Sequence, residues 1–134
     1  MSHVPHISWP ELPTADWRDT YATLHLWSQV IGKIRLVRSP WLNHSWHVAL
    51  YVTARGLTTS PIPNGNGTFE IDLDFIDHAL RITRSDGAQR RFALAGHSVA
   101  SFYAAVMAAL AELGIDARRS LRAGLCRGVH LAPV

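Results

Sequence analysis

From Thr68 to Ile76 the chain alternates cleanly. Phe69, Ile71, Leu73 and Phe75 point one way, and Glu70, Asp72 and Asp74 point the other. A period of two marks a strand with one face buried and one face wet. Ala79 to Thr83 and Arg91 to Leu94 read as two more strands, joined by the turn residues Asp77-His78 and Ser85-Asp86-Gly87. Asn64-Gly65-Asn66-Gly67, just before the alternating run, is a turn signal, because Asn and Gly tolerate positive φ. Both ends of the chain change period. Trp17, Tyr21, Leu24, Ile31 and Ile34 recur at helical spacing with Trp27 on the same side, and Thr14 stands where an N-cap belongs. Gly32 weakens this helix, so Lys33 to Val37 is open to a short strand, and Ser39-Pro40 ends the element. At the other end Ser98 precedes Val99, Phe102, Tyr103, Val106, Leu110 and Leu113, spaced three and four apart, with Gly114 at the C-cap.

The order helix, several antiparallel strands, helix predicts an α+β fold. We expect a two-layer sandwich in which a sheet of about four to five strands carries both helices on one face. The expected divisions are an extended, proline-containing lead-in over 1–13, one domain over 14–116 and a basic tail over 117–134.

Between the first helix and the strands lies the most unusual stretch, Leu42 to Pro63. His44 and His47 bracket Trp46. After them Trp46, Val48, Leu50, Val52 and Ala54 alternate with His47, Ala49, Tyr51 and Thr53. The apolar set is expected to face the core and the polar set to face water or a ligand. Gly56 allows a bend, and Leu57 to Ile62 is expected as an edge strand stopped by Pro61 and Pro63.

Charge and cysteine narrow the picture. Net charge is +3, yet all ten acids precede residue 117, and the last 18 residues carry Arg118, Arg119, Arg122 and Arg127. The basic character therefore belongs to the tail. No aromatic residue accompanies those arginines to stack on bases, so nucleic acid is not the expected partner. Cys126 is the single cysteine. It excludes an intrachain disulfide and fits a reducing, cytoplasmic setting. The N-terminus shows no signal pattern. Phe92 to Ala111 lacks Asp, Glu, Lys and Arg, but Gly96-His97-Ser98 interrupts it, so no membrane span is expected.

If both helices cover one face, the opposite face gathers His47, Tyr51 and Thr53 beside Glu70, Asp72 and Asp74. Imidazoles and carboxylates together suit acid–base chemistry or a divalent metal. The catalytic candidates are His44, His47, Tyr51, Arg55 and Asp72; His44 and His47 are also the metal candidates. The bland alternative is a solvated face whose carboxylates are balanced by Arg55, Arg81 or Lys33. Arg18, His25, Gln29 and Lys33 form a polar helix stripe read as solvated. His78 and His97 read as turn and capping residues. No GxSxG, phosphate loop, GxGxxG or paired CxxC occurs. Cofactors are left unassigned.

Three strings carry a family resemblance: WRDTYATLHLWSQVIGKIRL (Trp17–Leu36), LNHSWHVALYVTARGLTTSPIP and TFEIDLDFIDHAL (Thr68–Leu80). They are similar to the bacterial domain of unknown function 5996 family over about residues 9–116. The resemblance implies no activity. It implies recurring residues at Trp17, Arg18, Asp19, Thr20, His25 and Lys33, then at Asn43, His44, Trp46 and His47, and at Arg55, Gly56, Thr58 and Thr59. Ser45 departs from the pattern, where a tryptophan is usual. Family members also run on into a long C-terminal half. The turn at Ala117 into ARRSLRAGLCRGVHLAPV is therefore expected to mark a truncated or frameshifted gene, with the missing half as the expected partner. Three readings of function result, the last in rank being nucleic-acid binding through the arginine tail. The first is a binding or interaction domain, or the N-terminal half of one. The alternative is an enzyme with a His/Tyr/carboxylate site on the open sheet face, with or without a metal.

Overall fold

The computed structural model describes residues 8–40 and 49–118. The element order is α1 (Thr14–Arg38), β1 (Tyr51–Val52), β2 (Gly56–Thr58), β3 (Ile62–Asn64), β4 (Gly67–Asp74), β5 (Ala79–Arg84), β6 (Gln89–Ala93) and α2 (Val99–Glu112). The strands form one antiparallel sheet in the order β1-β2-β4-β5-β6, with β3 also pairing β4. Both helices pack on one face of it. The fold is the expected α+β two-layer arrangement, with six strands.

The alternation in β4 sorts its side chains as expected as far as Leu73; Asp74, expected in water, is buried, and Phe75, expected inward, lies past the end of the strand and is exposed. Phe69, Ile71 and Leu73 are buried. They meet Leu80 and Ile82 of β5, Ile31 and Ile34 of α1, and Phe102, Val106 and Leu110 of α2 in a single core. Each fully buried side chain of this size contributes about 1.5–3 kcal/mol. Ile115 and Ala117 also close on this core, so burial continues past residue 116.

β2 and β3 lie one after the other along the same edge of β4. Thr59 bridges the break between them. Its amide donates to the Ile71 carbonyl at 3.0 Å, and its Oγ1 accepts from the Ile71 amide at 3.0 Å. A side-chain hydroxyl thus stands in where the regular ladder would use a carbonyl. Ser60 then takes φ 57, turning the chain into β3. Pro63 does not stop this strand, as the sequence suggested. It sits inside β3, opposite Thr68 in register. The hairpin turn at Gly65-Asn66 uses the positive φ of Gly65.

Further local expectations change; Ala54 and, in the α2 stripe, Val99 and Tyr103 are exposed rather than turned to the core. Thr14 does not cap α1; Pro13 occupies the N-cap without a side-chain bond, and the Asp16 amide reaches the Pro13 carbonyl at 3.0 Å. Lys33 to Val37 stays helical, because Ile34 and Arg35 are held in the core and outweigh the weakness of Gly32. Tyr21 is exposed; it lies off the stripe Leu24, Trp27, Ile31, Ile34 that turns inward, and it packs on Trp17 and His25 instead. Val52, expected in the core, is 85% exposed. β1 is the outermost strand and only two residues long, so the alternation that half-buries Leu50 runs out of cover one step later.

α1 outreaches the sheet beneath it. Its 25 residues span roughly 37 Å, whereas the eight residues of β4 span roughly 26 Å. The C-terminal half seats Ile31, Ile34 and Arg35. Arg35 anchors that end: its guanidinium donates to the Ala49 carbonyl, reaches Ser60 Oγ at 3.3 Å and lies 5.1 Å from the centroid of the Tyr51 ring. The N-terminal half, from Thr14 to Val30, has no fully buried residue.

Candidate functional site

Cross-strand register fixes which polar residues share the open sheet face. Tyr51 stands opposite Thr58, Thr58 opposite Asp72, Asp72 opposite Arg81, and Arg81 opposite Arg91. Tyr51 and Asp72 are therefore two strands apart, roughly 10 Å between backbones. Tyr51 is half exposed beneath the Arg35 guanidinium. Asp72 is half-buried, with Glu70 on the same face of its strand. Burial, and then the neighbouring Asp72 charge, raises the Glu70 carboxyl above its ordinary value. The candidates His44 and His47 lie outside the described residues.

One register step along, Gly56, Asp74, Ala79 and Ala93 form a row in which only Asp74 has a long side chain. Arginines lean into that space. Arg55 Nε meets Asp74 Oδ2 at 2.6 Å, and Arg81 Nη2 meets the same oxygen at 3.5 Å. Asp74 Oδ1 accepts from the Ile76 and Asp77 amides at 3.0 and 2.9 Å, which shapes the turn into β5. Asp77 in turn holds Arg55 at 3.0 Å and Arg91 at 3.4 Å. The hydrogen bond from Arg55, followed by that from the Asp77 amide, holds the Asp74 carboxyl down at about 2. Gly56 is obligatory beside this cluster, since a Cβ there would overlap the Leu73 carbonyl oxygen. Arg55, a catalytic candidate from sequence, is thus committed to two carboxylates.

The second polar region is a cleft of about 610 Å³ beside the N-terminal half of α1. Asp19, Thr20, Thr23, Leu24 and Trp27 supply one wall, all from one side of the helix. Phe75 and His78 come from the turn between β4 and β5. Leu94, Gly96 and His97 come from the loop into α2. Trp27 stacks on Phe102 at 4.8 Å between centroids, tying the cleft floor to the core. His97 is half-buried, edge-on to Phe92 and Phe102, with Nδ1 3.0 Å from Ser101 Oγ. The expected cap of α2 forms beside it, where Ser98 Oγ accepts from the Ser101 amide at 3.1 Å.

A family model matches residues 9–123 of the chain. The chain belongs to the family of unknown function DUF5996. The DUF5996 match contains all of α1, the whole sheet and α2, and so both polar regions. It runs past residue 116 into the arginine-rich segment. Neither the curated proteins nor the solved structures gave a match.

Among the described residues, no group of three or more His, Cys, Asp or Glu could hold a metal ion. No helix there is long and apolar enough to cross a membrane. Sequence reasoning misses the cleft and treats His78 and His97 as local turn and capping residues. The signal is present in α1. Thr20 and Thr23 line the cleft on the side of α1 that carries Leu24 and Trp27, where a packed helix would carry aliphatic residues.

Proposed function

We infer that this DUF5996 chain is a ligand-binding domain and that its site is the cleft beneath the N-terminal half of α1. The observation that carries this reading is the composition of the cleft. Its floor is apolar, with Leu24, Trp27, Phe75 and Leu94, and its rim carries a few converging polar groups, Asp19, Thr20, His78 and His97. A volume of about 610 Å³ falls within the range of small-molecule sites. The site lies on packed elements, because Trp27 and Leu24 rest on the core.

An enzyme on the open sheet face draws less support. Tyr51 and Asp72 stand two strands apart, and Arg55 is bound to Asp74 and Asp77. That alternative depends on His44 and His47 reaching Asp72.

The test is a thermal-shift screen of small organic molecules, with hits repeated on Thr20→Trp, which fills the cleft. A ligand at one hundred times its Kd stabilises the native state by about 2.7 kcal/mol, a shift of several degrees. Hits should raise Tm in the wild type and not in Thr20→Trp. Hits that stabilise both proteins equally would place binding elsewhere.

A further inference from the structure

The chemistry of that cleft also selects a class of ligand, given that it is the binding site. We propose that it takes a small primary or secondary amine, bound as the ammonium ion, with an apolar body about as long as two helical turns. Asp19 is the one acidic side chain in the lining, and no Lys or Arg joins it. Asp19 is exposed and has neither a hydrogen bond nor an ion pair among the described residues. Its neighbour Arg18 leaves the helix about 100° away and is outside the lining. This carboxylate is thus available, unlike Asp74, which is enclosed by guanidinium and amide donors.

Helix geometry arranges the rest. Thr23 lies one turn beyond Asp19, and Trp27 lies two turns beyond, roughly 12 Å along the axis. An ammonium group at the mouth can donate to the Asp19 carboxylate and to the Thr20 and Thr23 hydroxyl oxygens. Its body then runs inward over Leu24 to Trp27 and Phe75, where apolar surface leaves water. The rival is an anion placed at the positive end of α2, beside His97.

Three probes of matched shape separate these outcomes by isothermal titration: 4-phenylbutylamine, 4-phenylbutanol and 5-phenylpentanoate. The amine should bind about tenfold or more tightly than the alcohol, as a charge-assisted hydrogen bond provides. Asp19→Asn should remove most of that preference and leave the alcohol unchanged, while Asp19→Glu keeps it. Equal binding of amine and alcohol, tighter binding of the carboxylate, or an Asp19→Asn variant with undiminished amine affinity would overturn the ammonium assignment. In each of those cases, loss of all binding in Thr20→Trp would still leave the cleft as the site. Failure of every probe on the wild-type chain would count against both.

Discussion

Two carboxylates, Asp74 and Asp19, sit in polar surroundings at opposite extremes of satisfaction. Asp74 is 2% exposed and has four donors, two from arginines and two from backbone amides. Asp19 is exposed on the N-terminal half of α1, with no donor among the described residues. The first arrangement is closed. Every strong partner it needs is already in place, so it shapes a turn and offers little to a ligand. The second is open, and its partner has yet to arrive. Density of charged residues is therefore a poor guide to a site in this molecule. The sheet face has more charge than the cleft, yet its charges are largely spent on each other.

Removing the hub of the closed region should have the largest effect. Asp74→Ala leaves the Ile76 and Asp77 amides without acceptors and Arg55 and Arg81 without their shared carboxylate. Unmet donors in a partly buried cluster are costly. Tm should fall on the order of 10 °C in a thermal melt followed by circular dichroism. A fall of under a degree would mean that the cluster is surface decoration and that the contrast with Asp19 is empty.

Acid should reach the same cluster more gently. The Asp74 carboxyl is held at about 2, below the ordinary Asp value of about 3.9. A depressed folded value means that the stabilisation is complete above about pH 4 and is lost as pH falls from there through about 2. Glu70 acts in the opposite sense. Its raised value means that ionisation costs stability and that protonation on the way down relieves it. Urea midpoints between pH 5 and pH 2 should therefore drop, and the drop should shrink in Asp74→Asn. An unchanged slope in that variant would assign the acid response to other carboxylates.

Much of this contrast is hidden from the sequence, for identifiable reasons. The period of two in β4 and the three–four spacing in α2 reveal the sheet and its cover, because burial there acts on every second or every third and fourth residue. The same alternation marks Asp74 as one of three equivalent outward acids. The need for cations beside these acids names Arg55 and Arg81 among the candidates, but which carboxylate Arg55, nineteen residues earlier, meets depends on strand order. Spacing places Leu24, Trp27, Ile31 and Ile34 inward correctly but adds Tyr21, which is as apolar as its neighbours and yet exposed. That the N-terminal half of α1 faces the β4–β5 turn and the loop into α2 emerges only in three dimensions. His97 is recognisable along the chain only as a neighbour of a cap; its second role comes from the loop that swings it toward α1. The strongest local signal, the histidines around Trp46, falls outside the described residues.

The smallest effect on stability should come from Asp19→Asn, and its smallness is the point. A carboxylate without partners contributes little to the folded state, so the change should lie within about 0.5 kcal/mol. Its position near the start of α1 gives at most a few tenths of that through the helix dipole. Urea titration of wild type and variant at neutral pH measures it. A loss of about 1.5 kcal/mol or more would show that Asp19 is held by a partner within the chain. It would then resemble Asp74, and the cleft would have no free acid to offer. A neutral result in stability, joined to a large change in amine binding, separates a residue kept for the fold from one kept for what the fold binds.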